Sequence, residues 1–265
     1  MFKLIYHRTV VTLYKNKERM DLSFLTHTWW GALIVVVVAG HFSIMCTSLY
    51  LHRSLTHQAI TFHPIAAMPM RMWLWLFTGM SAKQWVAVHR KHHAHCETEH
   101  DPHSPVIHGW AQILFLGVKY YRRAYQDPET IEKYGKGVPN DFFERFVFEP
   151  TKYIGPFVLL GLCLLLFGYW GVLVWGGMVI WVPFWAAGVV NGLGHTIGYR
   201  NYDVEDASRN LSPIGLLLSG EELHNNHHKH PSSAKFSEKW FEFDMGWVYI
   251  TLLRGLGLAK LRAVS

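Results

Sequence analysis

The sequence predicts an all-α integral membrane protein, with about three transmembrane helices, an interfacial helix, and a cytoplasmic helical cap carrying histidine boxes. Three observations lead there. Half of the 265 residues are apolar and only 17% are charged, against roughly 25% in soluble chains. The charge is also segregated, since no Asp, Glu, Lys or Arg occurs from Leu22 to His52 or from Tyr153 to Tyr199. Histidine supplies 18 residues, eight of them in three short clusters.

Residues 1–28 form a basic head with five Lys/Arg, and its weak amphipathic pattern (Leu4, Ile5, Val10, Val11, Leu13, Tyr14) suits an interfacial helix. No cleavable signal peptide is expected, because the first long apolar run begins only near Trp29. A run of about 20 apolar residues crosses a bilayer, so residues 29–51 read as the first transmembrane helix. Residues 61–82 are apolar but interrupted by Pro64, Pro69 and Arg71. Residues 83–152 are polar, with ten Lys/Arg. Residues 153–167 and 172–194 form a transmembrane hairpin that turns near Gly168-Tyr-Trp-Gly171, and the polar residues 196–265 carry eight Lys/Arg. With no internal repeat or low-complexity linker, residues 1–265 read as one domain, whose cap is residues 83–152 and 196–265.

The net charge of +6 does not imply nucleic acid. The basic residues flank the apolar runs, which is the pattern of positive-inside topology and attraction to anionic headgroups. Cys46, Cys96 and Cys163 form no CxxC pair, so neither a disulfide framework nor an iron–sulfur site is indicated.

The clusters are His52-Arg-Ser-Leu-Thr-His57, His89-Arg-Lys-His92-His93 and His224-Asn-Asn-His227-His228, with His195 alone in Asn191-Gly-Leu-Gly-His195. Imidazole is a common ligand of Zn, Cu, Fe and Ni. On a helix, the i, i+3, i+4 spacing of His89, His92 and His93 places them within an arc of about 100°, and His224, His227 and His228 repeat it. His52 and His57, at i, i+5, share no face of a regular helix; they fit if His52 caps the first span and His57 lies just beyond. Nine imidazoles exceed the four to six ligands of one metal, so a dinuclear centre is the economical reading.

A single HxxHH could be a chance surface cluster, but two such boxes with an HxxxxH on one membrane face are specific. His7, His27, His41, His63, His95, His100, His108 and His230 read individually as solvated or packed. Neither box has the Glu of the zinc-protease HExxH, and no paired Glu-x-x-His signature of a ferritin-like di-iron bundle occurs. Glu97, Asp101, Glu221 and Glu222 are candidates for orienting imidazole N–H groups, against an ordinary reading as surface carboxylates.

Sidedness adds a constraint. The hairpin leaves and returns, so His89–93, His195 and His224–228 can meet. If residues 61–82 also crossed, His52 and His57 would be stranded opposite. The segment is therefore expected to lie in the interface, where Arg71 and its prolines are tolerable. This leaves three spans, the N-terminus on the far side, and the histidines on the cytoplasmic face; the family resemblance given next implies a bacterial inner membrane.

At these residues the chain resembles the membrane fatty acid desaturases, of the stearoyl-CoA Δ9 type and its bacterial relatives. The shared motifs are His52-Arg-x3-His57; His89-Arg-x-His92-His93 followed by Glu97-Thr98 and Asp101-Pro102-His103; Asn191-x3-His195-x2-Gly198-Tyr199-Arg200; and Gly220-Glu221-x2-His224-Asn225-x-His227-His228. They run from about residue 40 to the C-terminus in the family's order. The resemblance implies two iron ions per chain held by His52, His57, His89, His92, His93, His195, His224, His227 and His228, with a water held by Asn191 near one metal. Glu97, Asp101, His103 and Glu221 would stand behind the ligands. The animal enzymes have two spans ahead of the first box, where this chain has room for one.

The activity so implied is O2-dependent removal of two hydrogens from adjacent methylenes of a long saturated acyl chain, giving a cis double bond, with Δ9 as the position. The acyl carrier would be CoA, a phospholipid or a carrier protein, and membrane lipid is itself a partner. The chain has no haem, flavin or iron–sulfur motif, so electrons would come from a ferredoxin, rubredoxin or cytochrome b5 type of protein. Two alternatives remain open: a di-iron membrane hydroxylase of an acyl or alkyl chain, disfavoured by the NxxxH-x2-GYR and DPH elements, and a non-enzymatic membrane metal carrier or sensor. The latter would need labile, partial ligation rather than nine closed imidazoles.

Overall fold

The structure is a computed structural model that describes residues 28–264; the basic head and its expected helix lie outside the described residues. Helix α1 (Trp29–Cys46) starts at Thr28, whose hydroxyl accepts the Gly31 amide at 3.0 Å. It continues unbroken to Thr56, with residues Thr47–Thr56 in wider π-helical geometry. Here the structure differs from a regular helix ending near Leu51. Bonds of i→i+5 type replace i→i+4, and the His57 amide donates to the His52 carbonyl at 3.0 Å. The widened turn places i and i+5 side by side, so His52 and His57 share a face after all.

Helix α2 (Pro64–Thr78) is capped by His63, opens on Pro64, and stops at Gly79, whose φ of 61° lies in the left-handed region. Its 15 residues span about 22 Å, short of a hydrocarbon core of about 30 Å. The buried Arg71 guanidinium donates to both Asp141 oxygens at 2.6 and 2.8 Å and to Glu144 at 3.0 Å. Helix α3 (Ala82–His95) follows its Ser81 cap, then α4 (Pro105–His108), α5 (Trp110–Gln126) and α6 (Pro128–Tyr134).

Helices α7 (Ile154–Phe167) and α8 (Gly171–Val182, continuing π-helically over Pro183–Leu193) make the hairpin, broken by a single tight turn at Gly168–Trp170. The Trp175 indole donates to the Pro156 carbonyl at 2.7 Å across it. Trp29–Thr56 and Ile154–Leu193 are the stretches long and apolar enough to cross a membrane among the described residues. Helix α1 meets α8 where the Trp181 ring lies against Gly40; a Cβ there would stand 2.3 Å from the ring. Helix α5 lies along the π-helical half of α8 equally closely, since a Cβ on Gly117 would stand 2.8 Å from the Ala187 carbonyl. Its exposed side is mixed: Phe115, 72% exposed, and Leu116 share it with exposed Lys119, Arg122 and Arg123.

The stretch 196–264 departs from a helical cap. Its helices are α9 (His224–Lys229) and α10 (Met245–Gly255), and it holds three short strands, one of which pairs with a strand outside it. Strand β1 (Ile60–Phe62) pairs antiparallel with β4 (Ala259–Leu261), and β2 (Ile214–Gly215) pairs parallel with β3 (Phe243–Asp244). The segment 201–220 is rich in Asn, Asp, Ser, Gly and Pro, which favour turns over helix. Buried polar side chains satisfy its backbone instead. Asn225 Oδ1 accepts the Asn201 and Tyr202 amides at 2.9 Å, and Glu222 accepts those of Leu218 at 2.8 Å and Gly220 at 3.2 Å. Arg53, fully buried, ties α1 to this region. It donates to both Asp244 oxygens at 3.0 Å and to the Ala234 and Ser219 carbonyls at 2.8 Å, and stacks 3.7 Å from the Phe236 ring centroid.

Candidate metal centre

The π-helical end of α1, the last turns of α3, the end of α8 and the whole of α9 converge, bringing the nine histidines picked out by spacing together in two adjoining groups. His52, His57, His89, His93 and His227 form one, and His92, His195, His224 and His228 the other; within each, the ligand atoms lie within 4.8 Å of one another. The two HxxHH boxes divide in a complementary way. The i, i+4 pair of α3, His89 and His93, joins the first group while His92 turns to the second. On α9 the i, i+4 pair His224 and His228 joins the second group and His227 the first. The groups touch where the His93 and His228 rings lie 4.7 Å apart between centroids. Asn225 and Asn226, inside the last box, point away and anchor the 201–210 loop and Glu242.

Four carboxylates stand behind the rings and fix their tautomers. His52 Nδ1 bonds Glu221 at 2.8 Å, His92 Nδ1 bonds Asp101 at 3.0 Å, His195 Nδ1 bonds Glu97 at 3.1 Å, and His228 Nδ1 bonds Asp206 at 2.8 Å. A ring that donates from Nδ1 keeps a lone pair on Nε2. The Nε2 atoms accordingly face inward: His52 to His227 at 3.0 Å, His227 to His93 at 3.1 Å, His93 to His89 at 3.1 Å, and His195 to His224 at 2.9 Å. His57 Nε2 and His228 Nε2 are buried without a hydrogen-bond partner among the described residues. Burial, and then repulsion among neighbouring rings, holds His89, His93, His224, His227 and His228 well below the ordinary imidazole value. Neutral rings with converging lone pairs are the form that binds a cation, so the residues fit two metal ions, one per group, each ringed by four or five imidazoles.

Burial alone would raise the Asp101 carboxyl, but His92, His103 and the Glu97 amide together hold it below the ordinary carboxylate range. The His103 ring lies 4.5 Å from that of His92 and its amide donates to Asp101 at 3.0 Å. Glu222, a candidate from the sequence, does not reach a histidine. It closes the turn before α9, and burial pushes its carboxyl up to about 7. Asp206 was not singled out from the sequence; Asp203, Glu205 and Asp206 stand together in one polar loop, and nothing local marks which of them turns inward.

Beside the histidines lies a cavity of about 390 Å³, of the size that takes a small ligand. His52, His89, His224 and Asn191 line its inner end, and the wall is mostly apolar, including Ile44, Trp85, Val182 and Ala186. Tyr121, Arg122, Tyr125, Tyr153 and Phe157 also line it.

The sequence profile of the fatty acid desaturase family matches residues 27–251. The chain belongs to the fatty acid desaturase family. It is 36% identical over 179 residues to an sn-1 stearoyl-lipid 9-desaturase of Anabaena variabilis, covering 66% of this chain and 63% of that one. It is 33% identical over 248 residues to an acyl-CoA 5-desaturase of Anemone leveillei, covering 89% and 72%. A Synechocystis sn-1 stearoyl-lipid 9-desaturase is 32% identical over 239 residues, covering 86% and 70%. The matches thus span roughly two thirds of the relatives' own length. Membership, with two long apolar helices, makes this a membrane desaturase-family protein.

Proposed function

We propose that the protein is an O2-dependent di-iron fatty acyl desaturase that places a cis double bond, at Δ9, in a saturated acyl chain. The observation that carries this reading is the opening of an apolar cavity onto both histidine groups, through His52 and His89 of one and His224 of the other. An unactivated C–H offers no acidic proton, so side-chain acid–base chemistry alone cannot remove it. A pair of irons held by the nine histidines supplies the O2-dependent redox chemistry. In balance, a CH2–CH2 unit, O2, two external electrons and two protons give CH=CH and two waters. The chain's own residues position the reactants. Ile44, Val182 and Ala186 hold the methylenes and exclude water, Asn191 offers an amide beside the second group for a water, and Glu221, Asp101, Glu97 and Asp206 keep four rings in the tautomer that leaves Nε2 unprotonated.

The topology that accompanies this reading has three spans, α1, α7 and α8. The segment 61–82 stays in the interface, as the length of α2, about 22 Å, and its buried Arg71 favour, and the histidines face the cytoplasm of a bacterial inner membrane. Stearoyl-lipid 9-desaturases among the relatives support Δ9, and electrons come from a separate ferredoxin, rubredoxin or cytochrome b5 type of protein. The test is expression in a host lacking unsaturated fatty acids, followed by location of new double bonds by mass spectrometry. New cis alkenes are expected at C9; hydroxy-fatty acids without alkene would replace this reading with a hydroxylase.

A further inference from the structure

An apolar surface runs along the outside of the first span, on elements that the histidine site does not explain. In the strap 212–218 the side chains of Ile214, Leu216 and Leu217 are exposed. Exposed Phe243 joins them, because the pairing of β2 with β3 sets it beside Ile214. On α10, Ile250 is buried against the protein, while Leu252 and Leu256, one turn apart, are 61% and 73% exposed.

The strap follows α1 away from the histidines. Ser48 donates to the Ser219 carbonyl at 3.4 Å, and two turns earlier on α1 the His41 Nδ1 donates to the Leu217 carbonyl at 3.0 Å. His41 Nε2 accepts from the Tyr249 hydroxyl of α10 at 2.8 Å. An imidazole facing water needs no such partners, whereas at the edge of the hydrocarbon each unmet polar atom is costly. The same turn of α1 meets α2, since the Trp73 indole donates to Ser43 at 2.9 Å and its ring lies 4.7 Å from that of Phe42. Beyond α10, the Leu258 carbonyl accepts the His63 amide, the cap of α2, at 2.8 Å. The strap and α10 therefore stand level with α2. Charge points the same way. From residue 209 to 264 the carboxylates of Glu221, Glu222, Glu242 and Asp244 are buried and Glu238 is half-buried, while Lys239, Arg254, Lys260 and Arg262 are exposed. Apolar side chains rimmed by cations, with no exposed acid in that stretch, suit acyl chains beneath anionic headgroups.

Resting on the topology that keeps α2 in the interface, we infer that Ile214, Leu216, Leu217, Phe243, Leu252 and Leu256 are embedded in the leaflet on the histidine side, with membrane lipid as their partner. Lys239 and Arg254 extend to the headgroups, as such side chains do. This part of the cap is a second interfacial anchor, not a water-facing surface. The strap leads through a tight turn into α9, so anchoring it fixes the height of His224, His227 and His228 against the end of α1.

The test is photolabelling of the full-length protein in vesicles of phosphatidylcholine and phosphatidylglycerol, doped with a phospholipid that carries a diazirine midway along one acyl chain. None of the six apolar side chains lines the cavity beside the histidines, so a chain bound there does not label them. Peptides holding Leu216 with Leu217, and Leu252 with Leu256, should carry label within about threefold of Ile65 and Met72 on α2, and the polar loop 203–205 should carry none. Leu216 is exposed, so Leu216→Glu leaves the packed interior untouched. It should cut the label on its own peptide about tenfold, since a carboxylate is driven out of hydrocarbon, with the label on α1 and α8 unchanged. Label on the spans and α2 but not on 214–217 or 252–256 would overturn the anchor and leave the three-span topology standing. If the spans themselves take no label, that topology fails and the anchor with it. Label unchanged by Leu216→Glu, with turnover on reduced ferredoxin slowed instead, would make the strap a docking surface for a protein and overturn the anchor.

Discussion

Asp101 is the most constrained of the four carboxylates behind the rings, which makes Asp101→Asn an informative perturbation. It is 3% exposed. Its Oδ1 accepts the His103 amide at 3.0 Å and its Oδ2 the Glu97 amide at 2.8 Å, while both oxygens face His92 Nδ1 at 3.0 and 3.1 Å. An asparagine amide has one oxygen and one NH2. Whichever way it is turned, the NH2 meets a backbone N–H, and the charge that held His92 is gone. Losing one charge-assisted hydrogen bond and stranding one buried donor costs about 2–4 kcal/mol. Replacing an outer partner of a liganding imidazole weakens metal binding about 10- to 100-fold. The effect should fall on the group containing His92, leaving the five-histidine group occupied. In a chelator titration of iron-loaded protein, D101N should lose one of its two irons at a 10- to 100-fold lower chelator concentration than the parent, with activity lost in step. Retention of both irons at the parental chelator concentration, with activity within twofold, would refute the reasoning that the carboxylate fixes His92 for a metal.

Four further outcomes follow from the same geometry. His92→Ala should abolish activity and iron loading at its group, whereas His41→Ala should keep both within about twofold; His41 bonds the Leu217 carbonyl and the Tyr249 hydroxyl and lies in neither histidine group, and equal loss in the two would mean the ligating histidines are misassigned. Arg53→Met should lower unfolding stability by about 3–5 kcal/mol, because it leaves Asp244 buried and unpaired; a shift in thermal midpoint of under 2 °C would contradict this. Gly117→Ala should destabilise by about 1–3 kcal/mol through overpacking of α5 on Ala187, measured as a lower thermal midpoint with iron content unchanged. Finally, hydrogen bonds from Arg71, ahead of the opposing effect of burial, hold the half-exposed Asp141 carboxyl down to about 2. A depressed carboxyl contributes stability above its unfolded pKa, lost as pH falls towards 2. The stability difference between the parent and Asp141→Asn should therefore be present at pH 6 and shrink towards pH 2, remaining under about 1 kcal/mol because the pair is partly solvated.

The apolar stretches and the two HxxHH boxes were legible because each is a local pattern: length without charge in one case, helical spacing in the other. The hairpin turn at Gly168–Trp170 was equally local. The i, i+5 pair was misjudged because a regular helical period was applied to it. The π-helical widening over Thr47–Thr56 accompanies the bonds of His52 to Glu221 and of Arg53 to Asp244, partners far along the chain that no pattern along α1 contains. Asp206 escaped for a related reason, since its role is fixed by a loop held by distant partners: Glu97 accepts the Ala207 amide, Arg200 donates to the Val204 and Asp206 carbonyls, and Asn225 accepts the Asn201 and Tyr202 amides. The strand pairs and irregular path of 196–264 depend on partners far along the chain, β1 with β4 and Arg53 with Asp244, and no local window contains both halves.

The account rests on two groups of imidazoles each holding one iron, and counting iron per chain in the purified protein tests this most directly, with substitutions aimed at each group in turn. Two irons per chain are expected in the parent, and about one each in the double variant His57→Ala/His93→Ala, which leaves three imidazoles in the five-histidine group, and in His195→Ala, which leaves three in the other. One iron in the parent, or two irons retained in both variants, would contradict it.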